Sequence, residues 1–152
     1  MTQLAINQVA RAAIESIERG SEFEDNTILS LYHVFQHTLL AALDLLDRNK
    51  VLRAVHQRRE HFQVYGAEEV HTIYTDLPDM CSDTAADWDD RGPGWSIPSG
   101  WCSCPTFAAA VVIAMDQPMC KHLLAVVLYL KLDKPLTVRN NQEIDSTFLD
   151  DD

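Results

Sequence analysis

Apolar residues recur at helical spacing through the first fifty positions and then switch to strict alternation. Leu4, Ile6, Val9, Ala13, Ile14 and Ile17 lie on one helical stripe, which predicts a first helix capped by Thr2 and stopped at Gly20. An acidic connector follows at 21–26. A second, longer helix is predicted from about Thr27 to Arg48, with Leu31, Val34, Phe35, Thr38, Leu39, Ala42, Leu43 and Leu46 on its buried side and Asn49 at its end. From Val51 the period becomes two. Residues 51–55 and 61–65 alternate around 56–60, which predicts a β-hairpin, and after a turn at 66–69 the stretch 70–74 predicts a third antiparallel strand. Residues 78–100 then break all periodicity. Six Pro or Gly residues lie between Leu77 and Gly100, with five aspartates after Pro78 and Arg91 as the single cation. This predicts an extended acidic loop anchored by Trp88 and Trp95.

Two continuous apolar runs of eight residues each follow, 108–115 and 123–130. A helix apolar on all sides must be surrounded, and a small sheet with two amphipathic helices is a modest enclosure for two of them. An obligate partner interface is therefore expected. Beyond Leu130 the chain is polar and ends in three aspartates, with Ile144, Phe148 and Leu149 as its docking residues.

Composition narrows the class. The chain has 152 residues, 47% of them hydrophobic and 23% charged, which fits one globular domain rather than a disordered segment. A formal net charge of −11 argues against strong non-specific nucleic-acid binding by the chain alone, because phosphate contacts need clustered cations. Five of the twelve cations, Arg48, Lys50, Arg53, Arg58 and Arg59, do crowd around the predicted hairpin. A solvated turn is the default reading of that cluster, and contact with DNA or an acidic partner the alternative. No basic flank followed by an apolar run begins the chain, and eight-residue runs are too short for a membrane span, so a soluble intracellular protein is expected.

The candidate chemistry lies between Trp101 and Leu130. Cys102, Cys104, Cys120 and His122 form a C-x-C-x15-C-x-H pattern. Three soft thiolates and an imidazole are the ligand set of a closed tetrahedral zinc site. Residues two apart on an extended segment share a face, so Cys102 and Cys104 converge if a strand ends there. Pro105 suits the first position of a helix. On a continuous helix Cys120 and His122 would face apart, so Cys120 is expected just before the last helix and His122 in its first turn. Both pairs then stand at helix starts, where free amides favour the net charge of about −1 left by three thiolates and Zn²⁺. The competing reading, three core cysteines and a core histidine, does not account for the paired spacing or the two prolines. The expected fold class is α+β. N-terminal helices occupy 1–49, a three-stranded antiparallel meander and a zinc-tethered pair of helices occupy 50–130, and a polar acidic tail occupies 131–152.

C-x-C-x(n)-C-x-H followed by x-x-Ala resembles the SWIM zinc finger, and Cys120-Lys121-His122-Leu123-Leu124-Ala125 matches its second half, the alanine included. Within that family, Trp101-Cys102-Ser103-Cys104-Pro105 and the stretch 42–48 are similar to one branch, the small SWIM subunit of the Shu complex. The resemblance covers about 29–130, and the acidic segment 78–100 is longer than expected for its compact members. It implies a nuclear, non-catalytic subunit with one structural zinc. Such a subunit binds a RecA-like recombinase paralogue, contacts single-stranded DNA weakly or indirectly through the complex, and promotes recombinase filament assembly during homologous recombination. The runner-up is a zinc module that binds nucleic acid directly.

Other features carry less. His33 and His37 stand i, i+4 without a thiolate or acidic companion and read as exposed helix histidines. Cys81 sits among aspartates, which disfavour a reactive thiolate. No phosphate-binding glycine loop, H-E-x-x-H or G-x-S-x-G occurs, and a Cys₃His set leaves zinc no open position for water, so no enzyme is expected.

Overall fold

The computed structural model describes residues 3–20, 22–56, 59–75, 100–132 and 138–140. Thr2, Arg58, the side chain of Arg59, Cys81, Trp88, Trp95, Arg91 and the tail residues Ile144, Phe148 and Leu149 lie outside the described residues, as does the acidic segment apart from Gly100.

The N-terminal region is helical, as its periodicity requires. Helix α1 spans Gln3–Glu15 and buries Ala10 and Ile14, with Ile17 buried just past its end. Val9, expected inside, is 48% exposed, because the buried stripe runs through Ala10 instead. The helix stops five residues before Gly20. That glycine, at φ 79°, turns the chain so that its amide donates to the carbonyl of Lys131 at 2.9 Å.

The long second helix is two helices. Helix α2 covers Asp25–Phe35 and α3 covers His37–Asp47, with Gln36 between them at φ 49° and ψ −124°. Leu31, Phe35, Leu39, Ala42 and Leu46 are nevertheless all buried, so the apolar stripe passes through the break in phase. Val34, Thr38 and Leu43 are only partly covered. The end of α3 is a Schellman motif. Asn49 takes the left-handed conformation at φ 52°, its amide donates to Leu46 at 3.0 Å, and that of Lys50 donates to Leu45 at 2.9 Å.

The hairpin and third strand form as expected, with β1 at Val51–His56, β2 at Arg59–Tyr65 and β3 at Val70–Tyr74. Val51 pairs with Val64 and Arg53 with Phe62, while Phe62 pairs with Ile73. The sheet is wider than the expected three-stranded meander. Strand β4, Trp101–Cys102, adds antiparallel to β3, and β5, Val138–Asn140, adds parallel to β1, giving the order β4-β3-β2-β1-β5. Alternation places Val51, Phe62, Val64, Ile73 and Cys102 on one face, where all are buried.

Helix α4, Lys121–Leu132, contacts strands β1 to β4 and packs α3 as well. Its residues from His122 to Val126, with Leu128 and Tyr129, are buried, so it is the central helix of the core. The other apolar run behaves differently. After one turn from Pro105 it winds as a π-helical segment, Phe107–Ile113, in which Phe107 and Val111 alone are buried. Val112 is 52% exposed, Ile113 77% and Met115 42%. No helix among the described residues is long and apolar enough to cross a membrane.

Candidate metal centre

The four sequence-predicted ligands meet. The donor atoms of Cys102, Cys104, Cys120 and His122 all lie within 4.8 Å of one another, and all four residues are buried. In a zinc tetrahedron, bond lengths near 2.0–2.3 Å put donor atoms roughly 3.5–3.8 Å apart. Cys102 Sγ and His122 Nδ1 stand 3.9 Å apart, which makes Nδ1 the nitrogen turned toward the shared centre. Three thiols and an imidazole converging at a buried point fit one zinc ion. Among the described residues no other group of three or more metal-ligating side chains converges in this way.

Each half of the site is built the same way. Strand β4 delivers Cys102, paired opposite Ile73. The ladder runs one residue further, because Ser103 N–H donates to Thr72 O at 3.1 Å and Thr72 N–H donates to Ser103 Oγ at 3.0 Å. Backbone held extended through Ser103 keeps Cys102 and Cys104 on one side. Cys104 is then the cap of the helix begun by Pro105, and the Phe107 amide donates to its Sγ at 3.2 Å. Cys120 caps α4 equivalently. Leu124 N–H donates to Cys120 O at 3.0 Å and Leu123 N–H to Cys120 Sγ at 3.4 Å. Sulfur thus takes the place that a serine or aspartate oxygen holds at an ordinary N-cap, and two otherwise orphaned amides stabilise thiolate charge.

Taken by themselves, the three thiols cannot all ionise at this separation. Cys104 carries the charge: hydrogen bonds from the Cys102 thiol, then from Cys120, hold it far below the ordinary thiol range. Cys102 is pushed far above that range by its hydrogen bonds to Cys104 and Cys120 and by burial. For Cys120 the contact with Cys102 pulls downward, but the contact with Cys104 and burial prevail and raise it to about 11. A divalent cation removes this competition by neutralising all three.

Sequence reasoning missed one neighbour of the site. The imidazole of His71, on β3, lies 4.2 Å from that of His122 between ring centroids, tilted by 37°. Burial, and next the adjacent His122, hold the His71 pKa below the usual imidazole value. Alternation was the available signal, since His71 shares a strand face with Ile73 and pairs with Val64, both fully buried.

The remaining candidates do not converge on this centre. His33 and His37 are exposed on either side of Gln36 and line a groove of about 620 Å³ with Asp116 and Pro118. Two of the hairpin cations are occupied within the fold. Arg48 Nε pairs with Asp44 at 3.0 Å, and Arg53 pairs with Glu60 across the hairpin.

Comparison with known proteins agrees with this geometry. The family model described as SWIM zinc finger matches residues 87–131. The human zinc finger SWIM domain-containing protein 7 is 32% identical over 114 residues, covering 74% of this chain and 66% of that protein. Its Dictyostelium discoideum homologue is 28% identical over 112 residues, covering 72% and 58% respectively. The zebrafish protein of the same name, Danio rerio, is 29% identical over 126 residues, covering 79% and 74%. The chain spans less than two thirds of the length of the human and Dictyostelium relatives. No solved structure matches it. From ligand set, geometry and similarity together, the chain carries a SWIM zinc finger arranged to bind one zinc ion and is a homologue of zinc finger SWIM domain-containing protein 7.

Proposed function

We propose that this chain is a non-catalytic subunit of a Shu-type recombinase-mediator complex, acting in the nucleus, in which zinc builds a surface for a RecA-like recombinase paralogue. The carrying observation is the π-helical segment that leaves the zinc site at Cys104. The segment presents Val112 and Ile113 to solvent, and Met115 is exposed just past its end. Three large apolar side chains exposed within four residues support a binding surface there. The chemistry of the zinc supports a structural role, because four protein donors fill a tetrahedral ion and leave no position for an activated water. The identity of the partner, the link to homologous recombination and the nuclear location rest on the resemblance to the small SWIM subunits of that complex. Contact with single-stranded DNA is then indirect or weak, in keeping with a net charge of −11 and with Arg48 and Arg53 each paired to a carboxylate.

Co-expression with a RecA-like paralogue from the same cells tests this. The two chains are expected to copurify with one zinc per copy of this subunit. Ile113→Glu is expected to abolish copurification while zinc content stays at one. A stable monomer that captures no RecA-like protein, or capture that survives Ile113→Glu, overturns the reading. Tight binding of the isolated chain to DNA at physiological salt would favour a module that acts on nucleic acid directly.

A further inference from the structure

We propose that His71 is a positioning residue of the zinc centre: its ring, lying tilted against that of His122, fixes the orientation in which His122 Nδ1 faces the ion. The two rings approach to 4.2 Å between centroids at an interplanar angle of 37°. His122 is a ligand of unusual exposure to error, because its imidazole turns about a soft sp³–sp² torsion that has no sharp staggered minimum. Nδ1 must be aimed to within a few tenths of an ångström of the position that Cys102, Cys104 and Cys120 define. Helix α4 sets where the His122 backbone stands, but a helix does not set the angle of the ring. A second surface is needed, and β3 supplies it.

The placement of His71 is rigid for reasons visible in the sheet. Its backbone is held in register opposite Val64, and Ile73, two residues on, pairs with both Phe62 and Cys102. The same strand therefore carries the β4 ladder that presents the Cys102 thiolate and the ring that lies against His122. Thr72 between them donates its amide N–H to Ser103 Oγ and accepts the Ser103 N–H at its carbonyl. One strand thus references three of the four ligands to each other. Outer groups that orient a ligating histidine commonly govern metal affinity by about 10- to 100-fold. Here the orienting group is an aromatic face, so shape, rather than a particular nitrogen, is what the position requires.

The test measures zinc affinity by competition with a chromogenic chelator, and the d–d absorption of the Co²⁺-substituted full chain. His71→Ala is expected to weaken zinc by on the order of 10- to 100-fold and to broaden or shift the Co²⁺ bands. His71→Phe keeps the flat ring and removes both nitrogens; it is expected to restore affinity to within about threefold and to restore the spectrum. Ile14→Val, which loosens the core at α1, outside the strands and α4, separates general destabilisation from positioning and is expected to leave both readouts unchanged. Wild-type affinity and spectrum in His71→Ala overturn the proposal. So does His71→Phe behaving like His71→Ala, or Ile14→Val reproducing the spectral change.

Discussion

A Cβ placed on Gly100 would lie 2.6 Å from Cδ1 of Leu123 and 3.1 Å from the backbone oxygen of Tyr74. Leu123 is 1% exposed, follows the zinc ligand His122 on α4 and belongs to the core, so moving it disturbs close packing. Gly100→Ala is therefore expected to cost about 1–3 kcal/mol through overpacking, read as a fall in urea midpoint at saturating zinc. An unchanged midpoint would mean that α4 can slide off β4.

Removing the metal or a ligand should have a larger effect. A structural zinc of this type contributes on the order of 10 kcal/mol, which rivals the whole stability of a domain. Chelation, Cys104→Ser or His122→Ala should each steeply lower the unfolding midpoint and expose apolar surface, measured by calorimetry and dye binding. A chain that keeps its midpoint after complete chelation would refute a structural role for the ion.

The thiol electrostatics predict the pH dependence of loading. With Cys102 raised and Cys120 near 11, both are protonated at neutral pH, whereas Cys104 is already ionised. Zinc must displace the two retained protons, so affinity should rise with pH by about two log units per pH unit in the neutral range. Calorimetry in buffers of differing ionisation enthalpy counts the protons directly. Release of about three would show that no thiolate pre-exists at Cys104.

Gln36 holds φ 49° and ψ −124° between α2 and α3, a region sparsely populated by residues with a side chain. Gln36→Gly is expected to raise stability by about 1 kcal/mol, the relief of strain exceeding the added flexibility of the unfolded chain. Gln36→Pro should do the opposite, since Pro fixes a negative φ and removes the amide that donates to Tyr32 O at 2.9 Å. Thermal midpoints of the two variants test the pair.

Ala125 is completely buried, one turn beyond His122 on α4. Ala125→Thr adds volume and a hydroxyl where neither fits and should cost about 1–3 kcal/mol. Because Ala125 has no surface of its own, any loss of partner binding must come through displacement of α4. Zinc affinity and copurification should therefore fall together, and a change in copurification alone would contradict this.

The metal centre was legible in the sequence because its constraints are local. Cys-x-Cys on extended backbone, Pro105 opening a turn and Cys120 preceding an apolar run each follow from spacing and from the shape of helix starts. The β1–β2–β3 meander was legible for the same reason, since alternation and turns act between neighbours. The break at Gln36 was not, because Leu31, Phe35 and Leu39 keep helical phase across it and the distortion lies only in the backbone. Strand β5 was also hidden, because a three-residue strand in a polar stretch has no period and forms only when β1 offers it an edge.

By itself, then, the chain determined its zinc ligands, the two helix starts that carry them and the face of each hairpin strand, all matters of neighbours within a few residues. Tertiary structure decided what becomes of the two apolar runs. They are equal in length, though 108–115 carries four alanines and 123–130 four leucines, and a run apolar on every side does not say which side faces the core. Packing against α3 and four strands buried the run that became α4. The other, tethered at Cys104, found partners only for Phe107 and Val111 and left Val112 and Ile113 facing water. Enclosure needs surface from elsewhere in the fold, and the sheet has one core-facing side to offer.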